Sequence, residues 1–302
     1  MSDVPYAIGI DVGATNIKTV VVTPAGDVLD SRQFETVATS NAWATRVKKH
    51  VHEVERHRGA AEAIGIAAPG LVAPDGRSIA WMQGRLTSIQ GLDWTDHLAR
   101  ESVVPILNDA HAALLAETWR GAAVGCRNAV LLTLGTGVGG AILCDGRLLR
   151  GHLGRAGHLG HLSLNPDGPL DITNTPGSLE DAIGDHTVSA RAKGRFTTTL
   201  ALIESLRDEN PFAWEVWRRS VKALAAAIAS IINAVDPERV ILGGGITGAG
   251  DALFGPLNEC LDRFEWRPAG RRVPIVPALL GEHAGAIGAA RHALTFNPEG
   301  AV

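Results

Sequence analysis

Two short glycine-rich turns, one in each half of the chain, constrain the fold more than any other feature of the sequence. The first turn lies within 11–18 and the second within 134–140, and each separates two strand-like apolar runs. Each turn belongs to a block in which we predict three strands, a helix, a strand and a helix. The blocks cover about 5–120 and 128–245. This repeat predicts a duplicated α/β unit with a cleft between the two copies.

Local patterns give the predicted elements more closely. We expect an amphipathic helix at 41–58, a short helix at 95–101, and a strand at 103–107 that runs into a helix. The stretch 150–178 is rich in Gly, His, Pro and Asp, so it is predicted to be a long functional loop. Helices are expected to dominate 179–235.

Composition excludes several classes of protein. The 28 basic and 32 acidic side chains give a formal net charge of −4, so no basic footprint for nucleic acid or an anionic membrane is present. The three cysteines are widely spaced, which argues against a disulfide framework and favours a reducing compartment. The first nine residues lack a signal-peptide pattern, and the longest apolar segment, 221–235, is too short for a membrane span. We therefore expect a cytoplasmic protein.

The first turn carries groups that suit a phosphate and a metal ion. Gly13 allows backbone N–H groups to face an anion, and Thr15 and Asn16 add polar side chains. Asp11 ends the preceding strand, where its carboxylate could hold Mg²⁺ directly or through water. An ordinary hairpin with a buried aspartate explains the same residues equally well.

The second turn has four glycines and a threonine within six residues, which suits close approach of phosphate oxygens. It is not a Walker A loop, since no Gly-Lys-Ser/Thr follows, and it precedes a strand where a Rossmann fingerprint precedes a helix. A third cluster, 243–245, follows a strand and leaves room for a flat ligand such as a nucleotide base. Plain glycine turns are the alternative for both clusters.

An ordered series of motifs runs through nearly the whole chain. It consists of Asp11-x-Gly13-x-Thr15-x-x-Lys18, Gly65-Ile-Ala-Ala-Pro69-Gly70, Asn108-Asp109-Ala110 and LGTGVGG at 134–140, with further matches at 151–161, 177–180, 242–246 and 284–290. Each motif alone is weak, but the ordered set closely resembles the ROK family (repressor, open reading frame, kinase).

The resemblance implies an actin-like, ribonuclease-H-like fold of two α/β domains. The first domain would comprise 1–109 together with a closing helix at about 283–302, and the second would comprise 110–282. The implied activity is ATP-dependent, Mg²⁺-assisted phosphorylation of a sugar hydroxyl, usually at C6 of a hexose. Members of the family are often homodimers.

The resemblance also carries roles onto particular residues. The residues expected to contact ATP or its Mg²⁺ are Asp11, Gly13, Thr15, Asn16, Lys18, Gly135, Thr136, Gly137, Gly139, Gly244 and Gly245. The residues expected to line the sugar are Gly70, Asn108, His158, His161 and Glu180. Asp109 is the candidate general base that accepts the proton of the attacking hydroxyl. The alternative for Asn108-Asp109 is a helix N-cap pair.

The chain departs from the family pattern in one loop. Many members carry Glu-x-Gly-His, whose glutamate touches the sugar and whose histidine binds zinc, but here His158 takes the glutamate position. The three cysteines of the zinc motif are replaced by Asp171, Thr173 and Ser178, whose hard oxygens have a weaker preference for zinc than thiolate has. We therefore predict no structural zinc.

A different metal site is an alternative for this loop, since His152, His158, His161, Asp167 and Asp171 are close in sequence. The interpretation favoured by the residues keeps His161 as a hydroxyl-binding residue in a loop held by local hydrogen bonds.

The sequence leaves open the acceptor and the phosphoryl donor, and it allows two alternative functions to be compared with the kinase. Because an imidazole offers one donor and one acceptor where a carboxylate offers only acceptors, His158 favours an acceptor different from plain glucose, such as an N-acetylhexosamine, a rare epimer or a cyclitol. A sugar-responsive repressor is disfavoured, because the phosphate motif begins at Asp11 and leaves no room for a helix-turn-helix. A non-catalytic sugar sensor is disfavoured by the presence of Asp109 and of both glycine turns. The phosphoryl donor could be polyphosphate in place of ATP.

Overall fold

The computed structural model describes residues 4–36, 42–84 and 86–297. The described residues form two compact units. The first is drawn from Met1–Gly125, Arg150–Ala156 and Leu279–Val302, and the second from Cys126–Leu149 and Gly157–Ala278. No helix in this described part of the chain is long and apolar enough to cross a membrane.

The first unit is built on a five-stranded sheet. Its strands and a small separate hairpin are β1 (Ala7–Val12), β2 (Asn16–Val22), β3 (Val28–Glu35), β4 (Ala63–Ala68), β5 (Leu71–Val72), β6 (Ile79–Trp81) and β7 (Ile106–Asn108). The order in the sheet is β3-β2-β1-β4-β7, in which β1, β4 and β7 are parallel and β2 and β3 are antiparallel to their neighbours. The strands β5 and β6 form the hairpin.

The α-helices among the described residues of this unit are α1 (Ala42–Arg58), α2 (Trp94–His97), α3 (Asp109–Arg120) and α9 (Ala284–Thr295). The predicted amphipathic helix is α1, which buries Trp43, Val47, Val51 and Val54 in a core shared with β1, β4 and β7. Because α1 and α9 cover the sheet, the central strand β1 is apolar along almost its whole length.

Glycines allow α9 to lie unusually close to the sheet. A Cβ on Gly9 of β1 or on Gly65 of β4 would overlap a backbone carbonyl of α9, and a Cβ on Gly288 of α9 would overlap the Ala112 carbonyl of α3. These positions therefore accept no larger side chain without displacing backbone.

The second unit repeats the same sheet. Its strands are β8 (Ala129–Leu134), β9 (Val138–Cys144), β10 (Arg147–Leu148), β11 (Arg239–Gly243) and β12 (Ile275–Pro277). The order is β10-β9-β8-β11-β12, with β8, β11 and β12 parallel, which matches the first sheet strand for strand. This equivalence confirms the predicted pair of α/β units.

The helices of the second unit are α4 (Leu179–Ile183), α5 (Val188–Arg191), α6 (Thr199–Arg207), α7 (Pro211–Val235) and α8 (Asp251–Phe264). The longest, α7, begins with Asn210 as a side-chain cap and with Pro211 in its first turn. Its apolar face, which includes the buried Trp217, packs in the main core of this unit.

Some predicted boundaries differ from the structure. The short helix predicted at 95–101 is α2, Trp94–His97, and it stops early because Ala99 adopts left-handed backbone with φ 54°. The strand predicted at 103–107 is β7, Ile106–Asn108. The closing helix predicted at about 283–302 is α9, and residues 298–302 lie outside the described residues.

The division into units also differs from the predicted domain boundary after Asp109. Residues 109–125 group with the first unit, because α3 packs along α9. The buried Glu117 side chain strengthens this association: its carboxylate accepts hydrogen bonds from the backbone N–H groups of Ala122, Leu279 and Leu280 at 2.6, 3.0 and 3.0 Å.

Candidate active site

In the first unit, the chemistry-bearing residues lie at the ends of β1 and β7. The turn between β1 and β2 is the predicted hairpin, in which the Gly13 N–H donates to the Asn16 carbonyl at 3.0 Å. Asp11 pairs in register with Lys18 across the two strands, and a Cβ on Gly285 would lie 2.5 Å from the Asp11 carboxylate. The first turn of α9 therefore lies directly beside Asp11.

The electrostatics of Asp11 are unusual. Burial and, next in size, the negative charge of Asp109 raise its pKa from 3.8 to about 7, against the opposing effect of Lys18. The Lys18 ammonium is itself 3.3 Å from the Glu282 carboxylate. Two carboxylates that repel each other, of which Asp11 is desolvated, form a donor set that fits a divalent cation with a preference for hard oxygen ligands.

The junction between β7 and α3 presents Asn108 and Asp109. The Asn108 amide oxygen accepts from the N–H groups of Ala110 and His111 at 3.0 and 3.3 Å, so Asn108 is the N-cap of α3. Its amide nitrogen donates to the Gly70 carbonyl at 3.3 Å. Asn108 is buried, whereas Asp109, in the first turn of the helix, keeps partial exposure.

Gly70 has a structural reason to be glycine. Its φ is 106°, and a Cβ at this position would lie 2.7 Å from the Trp81 carbonyl and 2.8 Å from the Ile79 side chain. The structure places Gly70 against Asn108, and the contact of these two residues to a sugar stays a prediction.

In the second unit, the turn from β8 to β9 is the second predicted hairpin. The Gly135 N–H donates to the Gly137 carbonyl at 2.9 Å, and the Val138 N–H donates to the Glu180 carboxylate at 2.9 Å. A Cβ on Gly137 would overlap that same carboxylate. Glu180, predicted at the sugar, is thus bound to the glycine turn predicted at the phosphates, and its sugar contact stays a prediction.

A histidine that the sequence analysis did not identify also contacts this turn. His186 donates its backbone N–H to the Thr136 carbonyl at 3.0 Å, and its ring contacts the same carbonyl through Nδ1 at 2.8 Å. Its Nε2 lies 3.1 Å from the Asp181 carboxylate. The five-residue spacing of Asp181 and His186 matches no motif, so no sequence signal indicated these contacts of His186.

The third glycine cluster meets the second one. Gly244 has φ 87°, and a Cβ there would overlap the Leu134 carbonyl at the end of β8, so this residue has to be glycine for packing. A Cβ on Gly245, by contrast, would meet no heavy atom within 4 Å. The structure therefore brings 243–245 to the hairpin and leaves open space at Gly245, and the contact of this cluster to a nucleotide stays a prediction.

The histidine loop packs against the same hairpin. A Cβ on Gly160 would overlap the Val138 carbonyl, so the segment with His158 and His161 lies on the start of β9. The His161 ring lies 2.8 Å, through Nδ1, from the buried carboxylate of Asp171. The second unit thus assembles the hairpin, the third glycine cluster, Glu180 and the two histidines.

The alternative metal site is not assembled in the described part of the chain, where no three His, Cys, Asp or Glu side chains are grouped so that they could hold one ion. The predicted lack of structural zinc stays a prediction, which metal analysis of the purified protein would test.

Comparisons with known proteins extend these observations to the whole chain. The model of the ROK family matches residues 7–295. A glucokinase of Halalkalibacterium halodurans is 31% identical over 95% of this chain and 94% of its own length. An N-acetylmannosamine kinase of Vibrio cholerae is 29% identical over 90% of this chain and 93% of its own length.

Solved structures agree with the sequence relatives. The ROK hexokinase of Thermus thermophilus superposes with a TM-score of 0.83 at 30% identity, covering 95% of this chain and 97% of that one. A ROK family glucokinase of Streptomyces griseus, solved with glucose and AMPPNP, gives 0.79 at 26% identity, covering 95% and 99%. These matches confirm the actin-like fold of two α/β domains. The chain belongs to the ROK family.

Proposed function

We propose that this protein is an ATP-dependent sugar kinase that phosphorylates a hydroxyl of a hexose, at C6, with Asp109 as the general base. That it is a sugar kinase follows from its family and from its glucokinase and hexokinase relatives. The observation that carries the finer proposal is that Asp11 and Asp109 lie at the same edge of the sheet, at the ends of β1 and β7 on either side of β4, where the charge of Asp109 raises the pKa of Asp11. With two carboxylates close together, one can bind the metal ion while the other accepts the proton of the attacking hydroxyl.

Asp11 would hold Mg²⁺, directly or through water, with the nucleotide phosphates. The ion would supply neutralisation of the charge on the transferred phosphoryl group. Without a cation, the Asp11 carboxyl has a pKa of about 7 because of burial and of Asp109. A nearby divalent charge favours the ionised carboxylate, so the site is matched to the ion.

Asp109 would accept the proton of the attacking hydroxyl. Its position in the first turn of α3 is fixed by a hydrogen bond from the Ala110 N–H to its Oδ1 at 2.8 Å. Phosphoryl transfer passes through a loose transition state, so a held geometry contributes more than strong basicity. A carboxylate is sufficient as the base under these conditions.

Asn108 would orient the acceptor through a single N–H. Its oxygen already accepts two bonds at the start of α3, and one of its amide hydrogens is used by the Gly70 carbonyl. The remaining N–H is a donor, so we expect it to bind a lone pair of a ring hydroxyl.

His158 bears on which sugar is used. Glucose is the acceptor named for some relatives and N-acetylmannosamine for others. Since imidazole cannot accept two hydroxyl protons at once as a carboxylate does, we expect poor use of plain glucose and better use of an acceptor with an acetamido group or a different epimer.

A coupled ADP-release assay across hexoses, N-acetylhexosamines, rare epimers and cyclitols tests this proposal. We expect sugar-dependent ADP release that requires Mg²⁺, with a glucose kcat/KM below the common range of about 10⁴–10⁸ M⁻¹s⁻¹. A phosphorus–proton correlation spectrum of the product identifies the hydroxyl. No ADP release above background with any acceptor would contradict the kinase and favour a sugar sensor. Phosphorylation of the sugar with polyphosphate but not with ATP would contradict ATP as the donor.

The homodimer and the cytoplasmic location expected from the sequence stay predictions. Light scattering on the purified protein tests the first of these directly, since a dimer has twice the mass of the 31.7 kDa chain.

A further inference from the structure

The Asp171 carboxylate is buried within the loop between β10 and α4, and it is fully satisfied by hydrogen bonds. Its side chain has no solvent exposure. One oxygen, Oδ2, lies 2.8 Å from Nδ1 of His161. The second oxygen, Oδ1, accepts from the Thr173 N–H and hydroxyl at 2.8 Å each and from the Thr175 N–H at 2.9 Å.

These partners decide the charge of Asp171. Burial by itself raises the pKa of this carboxyl, but the His161 ring and the hydrogen bonds from Thr173 and Thr175 outweigh burial and hold the pKa well below its usual range. Asp171 is therefore ionised at any pH at which the protein would be assayed. An ionised carboxylate has acceptors only, so the hydrogen between the two residues belongs to Nδ1 of His161.

The loop around Asp171 is built to keep it in place. The Asp171 N–H donates to the Thr175 carbonyl at 3.0 Å, and Asn174 between them takes left-handed backbone with φ 63°. Farther out, the Leu164 N–H donates to the Gly177 carbonyl at 2.9 Å. Because backbone hydrogen bonds enclose the carboxylate on this side, Asp171 cannot turn away from His161 without breaking them.

The same loop joins the residues assigned to the sugar. The Leu179 N–H donates to the Leu162 carbonyl at 2.9 Å, which ties the residue after His161 to the first turn of α4, where Glu180 lies. The His161 side chain keeps 28% exposure, whereas Asp171 has none. Since Nδ1 is occupied by the buried Asp171 carboxylate, Nε2 is the ring nitrogen that we assign to a ligand.

We propose that Asp171 is a positioning residue, which fixes the hydrogen of His161 on Nδ1 and thereby makes Nε2 an acceptor for one hydroxyl of the sugar. The hydrogen on Nδ1 follows from the contacts alone, and only the hydroxyl contact rests on the proposed function. The arrangement selects an acceptor that presents a hydroxyl hydrogen to His161, and it disfavours one that presents only a lone pair there.

The near-isosteric change Asp171→Asn reverses this polarity. The asparagine oxygen can keep the three bonds from Thr173 and Thr175, which places the amide N–H₂ toward His161. Nδ1 must then accept, the proton moves to Nε2, and the ring presents a donor where it had presented an acceptor.

The first readout is the histidine tautomer by nitrogen NMR on protein with labelled histidine, which needs no activity. We expect Nδ1–H in the wild type and Nε2–H in Asp171→Asn. A wild-type His161 found as Nε2–H, or doubly protonated at neutral pH, overturns the proposal, even if the variant fails to fold.

The second readout is steady-state kinetics. We expect the KM for the sugar to rise roughly 10- to 100-fold in Asp171→Asn, the effect of one mismatched polar contact, with the KM for ATP unchanged. Asp167→Asn is the matched control, because it makes the same change of charge at an exposed position of the same loop, and it should leave both constants as they are. Equal sugar KM values in Asp171→Asn and wild type overturn the proposal, whereas a wild type without kinase activity overturns the proposed function and leaves the tautomer result standing.

Discussion

Asp11 is the residue at which the needs of folding and of function conflict most clearly. Its pKa of about 7 means that, without a cation, the folded protein prefers this carboxyl protonated at pH values where the unfolded chain, with a pKa near 3.8, has already lost the proton. A folded state that binds more protons than the unfolded state loses stability as pH rises. The site thus costs stability that a bound cation restores.

Asp11→Asn should remove this cost. In EDTA, we expect the wild-type Tm to fall between about pH 4 and pH 7 relative to the variant, since the contribution of Asp11 is present below the unfolded pKa and is lost as pH rises through the folded pKa. Thermal melts of both proteins at pH 5 and pH 8 measure this. The same pH slope in the two proteins would show that Asp11 titrates normally.

At this scale the motifs identified residues that the structure brings together, but they did not indicate how those residues interact. Asp11 and Asp109 were both identified from motifs, but they are far apart along the chain, so their coupling needed the parallel order of β1, β4 and β7. Asp171 was recognised as a replaced cysteine and as a candidate ligand of an alternative metal site, not as a partner of His161. Its bond to His161 depends on the path of the loop, which no periodicity records.

At the scale of elements, the position of α9 determines much of the first unit. Glycines on β1, β4 and α9 itself let this helix approach the sheet and α3 so closely that a methyl group at any of them would overlap backbone. The sequence analysis interpreted the three glycine clusters as ligand-binding turns and did not interpret the isolated glycines of β1, β4 and α9. Isolated glycines within strands such as β1 and β4 are the signal that indicates close backbone approach.

Gly288→Ala should therefore be costly. A Cβ at Gly288 would overlap the Ala112 carbonyl of α3, so the helices must separate, and we expect a loss of about 1–3 kcal/mol in the free energy of unfolding. Because α3 begins at Asp109, turnover should fall as well.

The control for Gly288→Ala is Gly255→Ala, which is also a helix-interior change, in α8. Apart from its chain neighbours and its own helix backbone, a Cβ at Gly255 meets no heavy atom within 4 Å, so the cost of alanine there comes mainly from its position before Pro256 and should be smaller than the cost at Gly288. Urea unfolding of both variants measures the difference. Equal effects at the two positions would mean that α9 does not depend on this close approach.

At the scale of the whole molecule, the two units share one strand order, and this was predictable because each unit begins with the same signal of strand, glycine turn and strand. The limits of the units were less predictable. Residues 109–125 directly follow the last strand of the first sheet, but no local pattern groups them with that sheet. Their grouping depends on contacts with α9, which lies far along the chain near its C-terminal end.

The measurement that tests the central claim most directly is turnover and nucleotide binding in Asp109→Asn. The asparagine oxygen can still accept from the Ala110 N–H, so the start of α3 and the fold should be retained. We expect kcat on the best acceptor to fall at least about 10³-fold, within the range for loss of a general base, while the Kd for Mg·AMPPNP changes less than about threefold. Turnover near the wild-type value in a folded Asp109→Asn variant would contradict the assignment of Asp109 as the base.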